Sequence, residues 1–289
     1  MLRIGIVGAE NSHSLAIART LNVRKAVRDA RVVALWGETE EFAQKTASGG
    51  EIPTIVKRPE DMIGSVDAAV VDHRHAKYHL PAAWPFLRAG LPLFIDKPLC
   101  TRVAEGRRFL AEAARRKVPV VSFSVAPLHE SFAALKREIA GIGALQALVT
   151  SGPADLYSPY GGVFFYGVHQ VEMVVRLLGL EATHAQVNVA GNGGTATVWF
   201  RSGLVATMNL LAKQGPGFHV AAYGEKGVAA RSIESDADPY LKGIRLWVGM
   251  FRGVKPLYDA REMLAPIAIL EALQKSLAAG GRKVGVAKV

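Results

Sequence analysis

Hydrophobic positions fall into two regimes along the chain. Through residues 1–122, short apolar runs alternate with stretches whose apolar positions recur at helical spacing. The runs predict strands at Arg3–Val7, Arg31–Leu35, Ala68–Val71, Leu91–Ile95 and Pro119–Ser122, with a weaker one near Thr54–Val56. Helices are expected between them, including Ser14–Arg28, Leu80–Ala89 and Val103–Arg116, the second stopped by Gly90. Strands and helices in alternation imply a parallel sheet wrapped by helices.

From about residue 124 the pattern changes. A helix (His129–Ala140) leads to a strand (Leu145–Thr150), an irregular Gly/Pro/Tyr loop and a second helix (Gly167–Leu178). Strands then follow at Ala185–Val189, Gly194–Phe200, Val205–Leu211 and Phe218–Tyr223, with turns at Gly191-Asn192-Gly193 and Arg201-Ser202-Gly203, the spacing of antiparallel meanders. A last helix, Ala260–Ala279, closes the chain. The expected fold is therefore α/β: a parallel-sheet domain over 1–122, then an α+β domain over 123–289 on a mainly antiparallel, open-faced sheet. The last helix is expected to pack back toward the first domain.

Composition adds little to the fold but narrows the setting. A chain of 289 residues, 50% hydrophobic and 21% charged, is globular and long enough for two ordinary domains. No apolar run reaches the roughly 18 residues that span a bilayer. The net charge is +10, but its clusters, Arg107-Arg108 and Arg115-Arg116-Lys117, fall on an amphipathic helix. A solvated helix face is expected there, with neither nucleic acid nor membrane as a partner. The positive field can still draw an anionic ligand such as a dinucleotide. A single cysteine, Cys100, excludes an internal disulfide, and the N-terminus enters a strand with no secretory-type apolar segment, so a cytoplasmic location is expected.

Candidate chemistry begins where the first strand ends. Gly8-Ala9-Glu10-Asn11-Ser12-His13 stands where dinucleotide-binding folds carry G-x-G-x-x-G, yet only Gly8 survives. A carboxylate at Glu10 repels a pyrophosphate unless the side chain turns away. Asn11, Ser12 and the free N–H groups at the helix start can hold an anion, and His13 can add a donor. The other reading is a turn that joins strand to helix and binds nothing. The second strand ends in Trp36-Gly37-Glu38, where Glu38 can take the adenosine ribose diol or serve simply as a first-turn helix acid. No arginine follows to hold a 2′-phosphate, which leans toward NAD over NADP.

The run Phe94-Ile95-Asp96-Lys97-Pro98 ends an apolar strand with a lysine between an acid and a proline. A strand ending in [Glu/Asp]-Lys-Pro, some ninety residues after a nucleotide-binding strand, resembles the glucose–fructose oxidoreductase / inositol dehydrogenase family (Gfo/Idh/MocA). Two further segments carry the resemblance. Asp72-His73-Arg74-His75 resembles the family's Asn-x-x-His loop, with Asp72 for Asn and His75 for His. Gly161-Gly162-Val163-Phe164-Phe165-Tyr166-Gly167-Val168-His169-Gln170-Val171-Glu172 resembles G-G-…-D-x-G-x-H-x-x-D, where His169 and Glu172 match and Phe165 takes the place of the Asp.

The resemblance implies a Rossmann-type first domain, NAD or NADP as cofactor, a polar small-molecule substrate and a homo-oligomer. Implied cofactor contacts are Gly8, Glu10, Asn11, Ser12, His13, Glu38, Asp72, His75, Asp96 and Lys97. Lys97 is implied as the charge that stabilises an alkoxide and His169 as the acid or base, with Tyr166 as a hydrogen-bond donor. Tyr160, His169 and Glu172 are implied around the substrate. No metal is expected: His73, His75 and His79 are clustered, but no second ligand group has metal spacing. The activity expected is hydride transfer between nicotinamide and a sugar, cyclitol or similar hydroxy or keto compound. The altered glycine turn and Phe165 leave open a second class, a redox-inactive relative that binds a ligand or regulates.

Overall fold

The structure is a computed structural model that describes residues 1–213, 215 and 217–289. It divides into two compact units, each discontinuous in sequence. Unit 1 comprises Met1–Cys100, Ala104–Phe123 and Tyr240–Ala260, and unit 2 comprises Thr101–Val103, Ser124–Pro239 and Arg261–Val289. The chain leaves unit 1 briefly for Thr101–Val103 and crosses again between Phe123 and Ser124, one residue beyond the 122/123 boundary read from the sequence. Residues Tyr240–Ala260 return to unit 1, and the final helix groups with unit 2.

Eight helices follow in chain order among the described residues: α1 (Ser12–Ala18), α2 (Glu40–Gly49), α3 (His79–Arg88), α4 (Val103–Arg116), α5 (Glu130–Ile139), α6 (Val163–Leu178), α7 (Leu241–Phe251) and α8 (Ala260–Ala278). Unit 1 is built on strands β1 (Leu2–Val7), β2 (Ala30–Trp36), β3 (Thr54–Ile55), β4 (Ala68–Val71), β5 (Leu93–Ile95) and β6 (Val120–Val121). They pair in the order β3-β2-β1-β4-β5-β6, every pair parallel. Central strands β1, β4 and β5 bury Ile4, Ile6, Val70, Val71, Leu93 and Ile95 completely, as strands covered on both faces must. The order reverses between β1 and β4, so the turns that follow these two strands diverge and open a crevice at their C-terminal ends.

Helix α1 is shorter than the expected Ser14–Arg28, giving way after Ala18 to a π-helical turn over Arg19–Val23. The reason lies in Asn22. Its buried amide donates to the carbonyls of Val32, Gly50 and Glu51 at 2.9–3.1 Å and accepts from Val32 N–H at 2.9 Å. One side chain thus joins the π-helical turn after α1 to β2 and to the end of α2. Helix α7 carries no strong sequence signal, because Gly243 and Gly249 weaken its propensity. Trp247 supplies what propensity lacks: it stacks on Phe94 of β5 at 5.5 Å, and Phe94 in turn meets Phe123 at 5.4 Å.

Unit 2 is a seven-stranded sheet formed by β7 (Leu145–Pro153), β8 (Ala182–Ala190), β9 (Gly193–Phe200), β10 (Val205–Leu211), β11 (Phe218–Gly224), β12 (Gly227–Ile233) and β13 (Val284–Gly285). The order is β12-β11-β7-β10-β9-β8-β13. It is mixed: β7 and β10 run parallel, and every other pair is antiparallel. Strand β7 lies between β10 and β11, so the expected meander of successive neighbours is interrupted there. One face is apolar and buried, with Leu148, Ala206, Met208, Leu210, Ala196, Val198 and Val187 alternating with half-buried or exposed residues. Gln170 of α6 fastens the parallel pair: its amide donates to Gly152 and Asn209 carbonyls and accepts from Thr150. Strand β12 was not legible, since only Ala229 and Ile233 of its seven residues are buried.

The Asn22 staple generates a prediction. Asn22→Ala removes the side-chain partner of four backbone groups, three of them in buried hydrogen bonds, and should cost about 2–4 kcal/mol. Urea unfolding of the variant would show this as a lower midpoint, and an unchanged midpoint would refute the staple.

Candidate active site

The turn after β1 begins at Gly8, whose φ of +115° suits glycine alone. A Cβ there would also lie 2.7 Å from the Asp72 carbonyl carbon, so the ends of β1 and β4 approach as closely as backbone allows. The Ala9 and Glu10 N–H groups both donate to Glu38 Oε2, at 2.8 and 2.9 Å. Glu38 therefore closes the turn from the end of β2, while its other oxygen, Oε1, is buried and has no hydrogen-bond partner. Glu10 points elsewhere, with its carboxylate 3.8 Å from the Arg74 guanidinium. Ser12 is exposed, and Asn11 caps α1.

Behind this turn lies a buried polar network. Ser14 Oγ is 2.8 Å from the Gly8 carbonyl and 2.5 Å from Asp72 Oδ2. A hydroxyl has one proton, and it is spent on the carbonyl, which can only accept. The second contact then takes its proton from Asp72. Burial, reinforced by the nearby Asp96 charge, pushes the Asp72 carboxyl well above the usual carboxylate range, so it is protonated. Asn11 Nδ2 donates to Asp72 Oδ1 at 2.7 Å and to Asp96 Oδ2 at 3.2 Å.

Asp96 is the opposite case. Burial alone would raise it, but Lys97, and after it His13, outweigh burial and hold it below the usual range. The Lys97 ammonium lies 3.2 Å from Asp96 Oδ2, and His13 Nδ1 lies 3.2 Å from both carboxylate oxygens. Tyr240 packs on the His13 ring at 4.9 Å. The Lys97-Pro98 bond is cis. His79, fully buried, sets each ring nitrogen 2.8 Å from a carbonyl, one of His73 and one of Pro98, and so ties the β4 loop to the lysine turn. Ligand atoms of His13, Asp72 and Asp96 lie within 4.8 Å of one another. Asp96 is already paired there with the Lys97 ammonium.

Of the residues expected at the cofactor, Gly8, Asn11, His13, Asp72, Asp96 and Lys97 thus meet in one network, and Glu38 joins the turn itself. His75 stands apart, capping the short turn Ala76–Tyr78 with Nδ1 accepting from Lys77 N–H at 3.2 Å. Its neighbour His73 is the more buried, and burial with the proximity of His79 lowers it to about 4. His73 Nδ1 has no hydrogen-bond partner, and its ring lies 5.7 Å from Trp36 and 5.8 Å from Tyr78. Ser14, Arg74, His73 and His79 were not singled out as site residues. Ser14 carried a signal, since it follows Asn11 by three positions and so shares its face of α1.

In unit 2, α6 starts at Val163 after Gly161 and Gly162, both at positive φ, four residues before the expected start. Phe165, Tyr166 and His169 consequently share one helix. His169 Nδ1 is 2.7 Å from Ser124 Oγ, which also accepts from Ala126 N–H at 3.1 Å. Glu172 faces inward: its Oε1 accepts from Ser124 N–H at 3.2 Å, and its Oε2 is 3.6 Å from Arg176. Burial pushes Glu172 up to about 7, against the pull of Arg176. Glu172 therefore holds Ser124, a residue with no sequence signal of its own. Tyr166 is 43% exposed, its ring 5.8 Å from His169. Tyr160 is half-buried and packs on Phe165 at 5.0 Å.

Comparison with known proteins bears on the fold that carries these residues. Residues 2–124 match the model of the GFO_IDH_MocA oxidoreductase family, described as an NAD-binding Rossmann fold. Among solved structures, the chain is similar to myo-inositol dehydrogenase from Lactobacillus casei in complex with NAD(H) and myo-inositol (16% identity, 100% of this chain and 98% of that one, TM-score 0.84). It is similar also to apo scyllo-inositol dehydrogenase from the same organism (13%, 99% and 98%, TM-score 0.85) and to a probable dehydrogenase from Thermotoga maritima (18%, 98% and 98%, TM-score 0.83). At these identities the likeness is one of fold. Among the described residues no helix is long and apolar enough to cross a membrane.

Glu172 sets a pH dependence. Between its ordinary value of 4.5 and about 7, the native state keeps a proton that the unfolded chain releases. Its contribution to stability therefore falls as pH rises through that window. His73 works the other way, since below 6.5 the unfolded chain takes a proton that the native ring refuses until about pH 4. The difference between proteins isolates Glu172. In chemical denaturation, wild type should lose on the order of 2 kcal/mol relative to Glu172→Gln between pH 4.5 and 7.5. Parallel profiles would mean that burial does not raise Glu172.

Proposed function

We propose that the protein, whose residues 2–124 match the NAD-binding Rossmann family of Gfo/Idh/MocA oxidoreductases, is an NAD-dependent dehydrogenase or reductase of a hydroxy or keto compound. One observation carries the reading. The nucleotide-type turn, through Asn11 and His13, and the ammonium of Lys97 converge on a single buried carboxylate, Asp96. A surface lysine in a turn has no need of such support.

The residues present fit the cofactor. Glu38 Oε1, buried and unpartnered, is an acceptor waiting for a hydroxyl donor, as the adenosine ribose supplies. The same carboxylate disfavours a 2′-phosphate, which makes NAD the better match. Glu10, drawn to Arg74, does not put its charge against a pyrophosphate. When bound, NAD supplies the hydride acceptor or donor of the reaction.

The protein's own groups do the rest. Lys97, oriented by Asp96, stabilises negative charge on the substrate oxygen. His169 takes or returns the hydroxyl proton at Nε2. For that, Nδ1–H donates to Ser124 Oγ, whose place is fixed by Ala126 N–H and by Glu172. Glu172 thus acts through Ser124 and not on substrate, while Tyr166 and Tyr160 offer hydroxyls to it. Assembly as a homo-oligomer and a cytoplasmic location belong to the same reading.

The test is thermal unfolding with NAD, NADH, NADP and NADPH in turn. NAD or NADH at about 100 times its dissociation constant should add roughly 2.7 kcal/mol. NADP and NADPH should do less, and Glu38→Ala should remove most of the NAD effect. No shift with any of the four, in protein free of copurified nucleotide, overturns the dehydrogenase reading in favour of a redox-inactive ligand-binding relative.

A further inference from the structure

Around His169 the helix presents rings, and the phenol hydroxyls are carried at the edge of a largely apolar surface. Phe165, one turn before His169 on α6, lies 5.0 Å from Tyr160 and 4.9 Å from Tyr166. Tyr166 lies 5.8 Å from His169, and His169 lies 5.5 Å from Phe218 of β11. Five rings from three segments of unit 2 thus form one continuous arc with the candidate acid/base histidine inside it. All five remain at least partly exposed, Tyr166 the most. Buried core aromatics would not be.

The arc is a built feature. Phe218 lies across Gly152 of β7, where a Cβ would stand 2.2 Å from its Cδ1 atom, so the strand forgoes a side chain to seat the ring. The acid of this helix is turned the other way, with Glu172 spent on Ser124 and Arg176. Hydroxyl-rich rings are recognised by many directed donors and acceptors, whereas aromatic faces recognise flat apolar surface and other rings.

We propose that the arc selects the substrate, and that the protein takes a hydroxy or keto compound bearing an aryl or similarly flat apolar ring next to the reacting carbon, in preference to a free polyol. Phe165 is the principal specificity-determining residue, since its ring joins the Tyr160 and Tyr166 ends of the arc and stands where an acid would instead bind hydroxyls. This inference rests on the dehydrogenase reading only for the name of the reaction. The selection itself is a matter of binding.

The experiment measures affinity for 1-indanol and for myo-inositol by ligand-observed NMR, with and without NADH, in wild type and in Phe165→Ala, Phe165→Asp and Tyr166→Ala. Indanol should bind wild type at least tenfold more tightly than myo-inositol. Phe165→Ala and Tyr166→Ala should each weaken indanol about fivefold, and Phe165→Asp should narrow or reverse the preference. Circular dichroism confirms that each variant folds. Equal or tighter binding of myo-inositol to wild type, or indanol binding indifferent to both alanine variants, overturns the proposal. Ring-dependent indanol binding in a protein whose melting ignores all four nicotinamide nucleotides sustains the arc and removes the dehydrogenase reading. A nucleotide shift without ring-dependent indanol binding removes the arc alone.

Discussion

Two carboxyl groups buried in one hydrogen-bonded network cannot both carry charge, and the ligand edge of unit 1 is organised by how that conflict is resolved. Asp72 keeps its proton and becomes a donor toward Ser14, while Asp96 gives its proton up because Lys97 and His13 stand against it. Asn11 bridges the two with a single amide. The close approach of β1 and β4 at Gly8, the α1 cap and the lysine turn all meet at this pair. Neutralising Lys97 or ionising Asp72 would put an uncompensated charge in the crevice where the strand order reverses.

The arrangement also explains how a dinucleotide-type turn survives the loss of two glycines. Glycine at the second and third positions normally leaves room for phosphate and for the helix. Here the two replacing side chains are held by partners, Glu10 by Arg74 and His13 by Asp96, while Asn11 between them binds both aspartates. Glu38 supplies the closure of the turn from the neighbouring strand. The cost is that four polar side chains are committed to one geometry.

Unit 2 handles its histidine by similar means with different chemistry. Ser124 fixes the Nδ1 side of His169 and is itself fixed by a carboxyl that burial has pushed to near neutrality. Gln170, the next residue of the helix, spends its amide on the backbone of the parallel pair β7 and β10. Adjacent positions on α6 therefore divide the work: His169 faces the aromatic arc, and Gln170 anchors the helix to the sheet.

The chain's own pattern determined the alternation of strands and helices in the first unit, the parallel sheet, the antiparallel character of most of the second, and the prominence of Gly8, Lys97 and His169. These are local features: periodicity and turn chemistry depend on residues within a few positions of one another. Tertiary structure alone decided that Leu241–Phe251 returns to unit 1, because Trp247 has Phe94 to stack on. It likewise decided that β7 inserts between β10 and β11, that Glu38 closes the turn while one of its oxygens stays buried and unpartnered, and that Glu172 faces inward. Asp72 and Asp96 look alike in sequence and hold opposite charge states in the fold. The reason is common to all of these: burial and distant partners set charge and pairing, and neither is written in the spacing of neighbouring residues.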